Sequence, residues 1–223
     1  MDSASLPFAS AGLSSVHCVG AGDHIINGII TVLNTPFTEE NAIDIDGLRA
    51  NVAYALDAGV AGFLVNGLAA EVDFLAQAER ETLLRTVVED SGGTPVVAGL
   101  GGGLDLNVRH IAERYIELGA AGLLVNGADV SEESLMRVLQ ELDALRPGFL
   151  MLQDWDASGS GISVQRLLEY VDRIPSLRWL KIEVTNAGPK YSEIINRGPA
   201  HLGVAGGWAV REMMDGLERG VHA

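Results

Sequence analysis

Leu56-Asp57-Ala58-Gly59-Val60-Ala61-Gly62-Phe63-Leu64-Val65-Asn66-Gly67 and, sixty positions on, Ile116-Glu117-Leu118-Gly119-Ala120-Ala121-Gly122-Leu123-Leu124-Val125-Asn126-Gly127 are two copies of one pattern. Each reads as the end of a helix, a glycine at its C-cap, and a short apolar strand. A strand without polar alternation suits a parallel sheet covered on both faces. Runs of the same kind recur at Gly28 to Leu33, Pro95 to Gly99, Phe149 to Gln153, Trp179 to Glu183 and His201 to Ala205, which makes seven strands.

Amphipathic stretches follow the strands: Asp46 to Ala58, Gln77 to Ser91, Leu106 to Leu118, Glu132 to Leu145, Val164 to Arg173, Pro189 to Arg197 and Ala209 to Arg219. In the third, Val108, Ile111, Ala112, Tyr115 and Ile116 form an apolar stripe at helical spacing. Strict alternation of strand and helix implies a parallel sheet with right-handed crossovers, either a closed barrel or an open doubly wound sheet. The repeat length favours the barrel, because about thirty residues per unit would bring eight units near the roughly 250 typical of that fold. Leu217 to Ala223 repeats the helix-end register of Leu56 to Gly62, so an eighth strand is expected to begin at the C-terminal residues. The expected fold is thus α/β, a (β/α)8 TIM barrel truncated after about seven βα units, with free edges on its first and seventh strands.

The bulk properties narrow the function. The 223 residues, 48% of them hydrophobic, suit one core, read as a barrel over 28–223 behind a flexible leader over 1–27. A net charge of −15 argues against nucleic acid or an anionic membrane as partner, since both require a basic face. The single Cys18 allows no internal disulfide, and no apolar run approaches the roughly 20 residues of a membrane span, so the cytoplasm is the simplest compartment. The five histidines lack the spacing of a zinc cluster. Gly99-Leu100-Gly101-Gly102-Gly103 fits neither phosphate-binding pattern and reads as a permissive turn. No cofactor is expected.

Functional groups of such a barrel gather at the C-terminal ends of its strands. One residue there is conspicuous. The chain has two lysines against thirteen arginines, and Lys181 lies within the apolar strand Trp179-Leu180-Lys181-Ile182. Alternation puts Trp179, Lys181 and Glu183 on one face and Leu180 and Ile182 on the other. If the aliphatic pair packs against helices, Lys181 points into the barrel, where desolvation lowers an amine pKa from about 10.4 and favours the neutral nucleophile that adds to carbonyls. The competing reading is a lysine that snorkels to the mouth or pairs with Glu183.

With Lys181 placed, the sequence resembles the dihydrodipicolinate synthase and N-acetylneuraminate lyase family of class I aldolases, from about Gly28 onward. The resemblance rests on Val32-Leu33-Asn34-Thr35-Pro36-Phe37-Thr38, Ala58-Gly59-Val60-Ala61-Gly62, Gly67-Leu68-Ala69-Ala70-Glu71 with Leu75 and Glu79-Arg80, Val96-Val97-Ala98-Gly99, and Leu180-Lys181 at the place of that family's imine-forming lysine. It implies a lyase that binds a small 2-oxo acid such as pyruvate through a Schiff base, and an oligomer of like subunits. The chain departs from the pattern at three places. Leu68 and Ala69 stand where the family has two hydroxyl residues for the substrate carboxylate, leaving backbone N–H groups for that task. Leu152 is read at the place of a proton-relaying tyrosine, and Ala157 near that of a carboxylate-gripping arginine.

The candidate catalytic residues are Lys181, Gln153, Asp154 and Glu183, and the candidate substrate-binding residues are Thr35, Gly67, Leu68, Ala69 and Gly206. Two other readings compete: an inactive truncated relative acting as a binding or assembly subunit, and a Mg2+-dependent lyase using Asp154 and Asp156. Trp208 is expected at the barrel mouth, walling the pocket or capping the core.

Overall fold

The computed structural model describes residues 26–101, 107–128, 130–208 and 212–223. Most of the expected leader lies outside them, as do Gly102 and Gly103 of the glycine-rich turn, Leu106 at the start of one expected helix, and residues 209–211 of another. Among the described residues seven strands alternate with seven helices: β1 (Ile30–Val32), α1 (Ile45–Asp57), β2 (Gly62–Val65), α2 (Gln77–Asp90), β3 (Val96–Gly99), α3 (Val108–Glu117), β4 (Gly122–Asn126), α4 (Glu132–Asp143), β5 (Leu150–Asp156), α5 (Val164–Arg173), β6 (Leu177–Val184), α6 (Gly188–Arg197), β7 (Gly203–Gly206) and α7 (Met213–Glu218). The strands pair in sequence order, all parallel. This is the wall of a (β/α)8 barrel with seven of its strands.

The two copies of the repeat fold alike. Gly59 and Gly119, at φ 78° and 95°, end α1 and α3 in the left-handed region that a side chain resists. Val60 N–H returns to Ala55 O and Ala120 N–H to Tyr115 O, closing the same turn. Side-chain oxygens of Asp44, Ser131 and Ser163 cap the N-termini of α1, α4 and α5.

Strand alternation sorts the core into two parts. Phe63, Val65, Ala98, Leu123, Val125, Leu150, Leu152, Leu180, Ile182 and Val204 face outward and pack beneath the helices. Leu64, Val97, Leu124, Met151, Trp179 and Ala205 form a ring inside, with Ile30 and Phe149 against it. One irregularity sets the inner face of the site. Leu150 pairs with Leu177 but Met151 pairs with Trp179, so β6 carries one extra residue, a bulge. Beyond it Gln153 is opposite Lys181. Without the bulge that register would move by one residue and bring opposite faces together.

The C-terminal residues lie between β7 and β1, as the helix-end register anticipates for an eighth strand. His222 N–H donates to Val204 O, Gly206 N–H to Ala223 O, and Gly28 N–H to His222 O. The free edges expected on β1 and β7 are therefore bridged by His222 and Ala223, just before β1 at Gly28 and along β7 from Val204 to Gly206.

Candidate active site

Lys181 follows Trp179 on the inner face of β6 and sits one level above the apolar ring. Its side chain is 12% exposed, and its Nζ lies 2.8 Å from Glu183 Oε2. The same oxygen accepts from Gln153 Nε2 at 2.5 Å. Three of the four expected catalytic residues are thus one hydrogen-bonded cluster at the C-terminal end of adjacent strands. Lys181 both points inward and pairs with Glu183, the two outcomes weighed as alternatives from the strand pattern. The carboxylate is within proton-transfer reach of the amine.

Asp154 is placed elsewhere. It is on the outer face of β5, 1% exposed on its side chain, where Oδ1 accepts from Ile162 N–H and Oδ2 pairs with Lys190 of α6. Lys190 also donates to Ser160 O, which fastens the loop after β5 to α6. Asp156 organises that loop: hydrogen bonds from Ser158, Gly161 and Gly159 hold its carboxyl below the usual carboxylate range. Both carboxylates of the Mg2+ reading are thereby tied to protein donors. Among the described residues no group of three or more His, Cys, Asp and Glu is placed to hold a metal.

The expected substrate-binding residues lie along the mouth. Thr35 is buried, and its hydroxyl donates to Ala70 O at 2.8 Å, joining the loop after β1 to the 3-10 turn Leu68–Ala70. Gly67 precedes that turn, while Leu68 and Ala69 are exposed on it. Gly206 faces outward, with the Tyr191 hydroxyl 3.2 Å from where a Cβ would stand, and its N–H is held by Ala223 O. The adjacent glycine is the one against the cluster. A Cβ on Gly207 would lie 2.6 Å from Cβ, Cγ and Cδ of Glu183. Trp208 Nε1 donates to Val184 O, pinning the segment after β7 to the end of β6.

Leu152, expected at the place of the relaying tyrosine, is instead buried on the outer face beneath the helices. Gln153 is the β5 residue facing Lys181. Period-two alternation does not say which residue of a strand faces in until a bulge fixes the phase.

Comparison with known proteins agrees with this architecture. The dihydrodipicolinate synthetase family matches residues 25–126. A 4-hydroxy-tetrahydrodipicolinate synthase 2 of Streptomyces coelicolor is 37% identical over 98 residues, covering 44% of this chain and 33% of that protein. A 4-hydroxy-tetrahydrodipicolinate synthase of Stenotrophomonas maltophilia is 38% identical over 101 residues, 45% of this chain and 34% of that protein. Among solved structures, dihydrodipicolinate synthase from Rhodopseudomonas palustris superposes with a TM-score of 0.79 at 20% identity, covering 88% of this chain and 68% of that one. Sialic acid aldolase from Ruminococcus gnavus gives 0.79 at 17%, covering 89% and 67%. The likeness in sequence is to the dihydrodipicolinate synthetase family, over somewhat less than half of the chain.

Family likeness in sequence is concentrated in the first four strands, whereas likeness in fold runs through all seven. The sequence match spans about a third of the length of those curated relatives. Lys181, Glu183 and Gln153 lie beyond the matched segment, so their candidacy rests on geometry. Among the described residues no helix is long and apolar enough to cross a membrane.

Proposed function

We propose that this protein is a Schiff-base-forming lyase or aldolase that captures pyruvate or a related small 2-oxo acid on Lys181. The observation that carries the reading is a lysine amine inside a barrel mouth, 2.8 Å from a carboxylate able to take its proton. The names of the matched proteins, synthases and an aldolase, support the same reaction class.

The chemistry follows from that contact. Glu183 accepts a proton from the Lys181 ammonium, and the freed electron pair forms a bond to the C2 carbonyl carbon. The carbonyl π pair moves to oxygen, which is protonated and leaves as water, giving a protonated imine. Loss of a proton or a carbon fragment from C3 then leaves its electron pair delocalised toward the iminium nitrogen. Gln153 holds Glu183 from the other side. Dihydrodipicolinate synthesis itself is not proposed, because Ala157 stands near the place where a carboxylate-gripping arginine is expected and Asp156 ties down the rest of that loop.

Incubation with pyruvate and borohydride, followed by intact mass measurement, should show one adduct that disappears in Lys181→Ala. Absence of the adduct in the unaltered protein sinks the reading. It would instead favour an inactive relative serving as a binding or assembly subunit, which the loss of both hydroxyls at Leu68 and Ala69 also suggests.

A further inference from the structure

A 2-oxo acid held on Lys181 brings a carboxylate into the barrel, and that anion needs a donor. The side chains at the strand ends are nearly all committed elsewhere. The Thr35 hydroxyl goes to Ala70 O, the Gln153 amide and the Lys181 amine go to Glu183, and Asn66 Nδ2 goes to Arg80 O and Tyr115 OH between α2 and α3. Asn126 is different.

Asn126 ends β4 two residues after Leu124 of the inner ring, and is 9% exposed. It pairs in register with Gln153, which pairs with Lys181, so the three stand side by side on adjacent strands. Its amide orientation follows from its one contact. Ala128 N–H donates to Oδ1 at 2.9 Å, which an NH2 group could not accept, so Nδ2 is the atom left over. Among the described residues nothing accepts from it.

We propose that Asn126 Nδ2 binds the carboxylate of the 2-oxo acid carried by Lys181, doing in this chain what a hydroxyl pair at Leu68 and Ala69 would otherwise do. The inference rests on the proposed function of Lys181. Adjacent parallel strands lie about 4.8 Å apart, so the backbones of Asn126 and Lys181 are separated by roughly 10 Å. Two inward side chains and a three-carbon acid fill that span. An unpaired buried donor facing a carboxylate also gives selectivity, because a ketone without the acid leaves the donor unsatisfied.

The test measures the concentration dependence of borohydride trapping with pyruvate and with hydroxyacetone, a ketone of similar size without a carboxylate. Asn126→Asp keeps the acceptor for Ala128 N–H, and Asn126→Leu removes the amide without adding charge. Both variants should raise the half-saturating pyruvate concentration at least tenfold while trapping hydroxyacetone as the unaltered protein does. Unchanged half-saturation in either variant, or equal loss for both ketones, overturns the proposal while leaving Lys181 in place. Failure of the unaltered protein to trap pyruvate removes the reading of Lys181, and this inference with it.

Discussion

The two lysines of the chain end in opposite environments. Lys181 is inside the barrel against Glu183, whereas Lys190 is outside it against Asp154 and the loop after β5. Glu183 keeps its place because Gly207 has no side chain. Gly207→Ala would push against the stem of Glu183 rather than its mobile end, an overpacking that costs about 1–3 kcal/mol. The expected outcome is a lower urea midpoint together with imine trapping slowed at least tenfold; trapping at the original rate would show that Glu183 is not the proton acceptor. At Lys190 the effect should be on stability alone. Lys190→Met leaves the Asp154 carboxylate buried and unpaired, a loss of about 3–5 kcal/mol in denaturant unfolding. Adding Asp154→Leu should recover much of it, and the double variant should still trap pyruvate.

At the scale of the element, β5 and β6 are the longest strands and the ones that build the cluster. The bulge beside Leu177 gives β6 the phase that turns Trp179, Lys181 and Glu183 inward and puts Gln153 opposite Lys181. Among the described residues, β7 is held on its other side by His222 and Ala223. Removing His222 and Ala223 deletes four backbone hydrogen bonds, from His222 and from Ala223 to Val204, from Gly206 to Ala223 and from Gly28 to His222, together with the one from Val204 N–H to His222 Nδ1. At about 0.5–1.5 kcal/mol each, the loss should be about 3–7 kcal/mol. Amide hydrogen exchange should rise first in β7 and β1, with β3 and β4 unaffected; uniform exchange across the sheet would refute a bridging role.

For the whole molecule, the helix layer places buried tyrosines where their ionisation opposes folding. Burial pushes the Tyr115 phenol up to about 12, and burial likewise raises Tyr191 and Tyr170. A raised folded value means stability is full below the unfolded pKa of about 10 and is lost as pH rises through the folded one. Unfolding free energy should therefore hold up to about pH 10 and fall steeply toward pH 12. Tyrosinate absorbance should appear with that loss rather than before it, and Tyr115→Phe should make the decline shallower.

The alternating architecture was legible in the sequence because each unit is local: a capped helix, a left-handed glycine and an apolar strand, as at Leu56 to Gly67 and again at Ile116 to Gly127. Lys181 was legible for the same reason, being a charge within one apolar strand. The short turns after β2 and the full lengths of β5 and β6 were not, since they depend on what each segment packs against. Nor were the partners: Asp154 and Lys190 are 36 positions apart, and no local pattern pairs them. The sequence by itself determined the order of strands and helices and the shared face of Trp179, Lys181 and Glu183. Only the tertiary structure decided which neighbours meet it, because a one-residue bulge and side-chain contacts between distant segments, rather than local periodicity, set the register of β5 against β6.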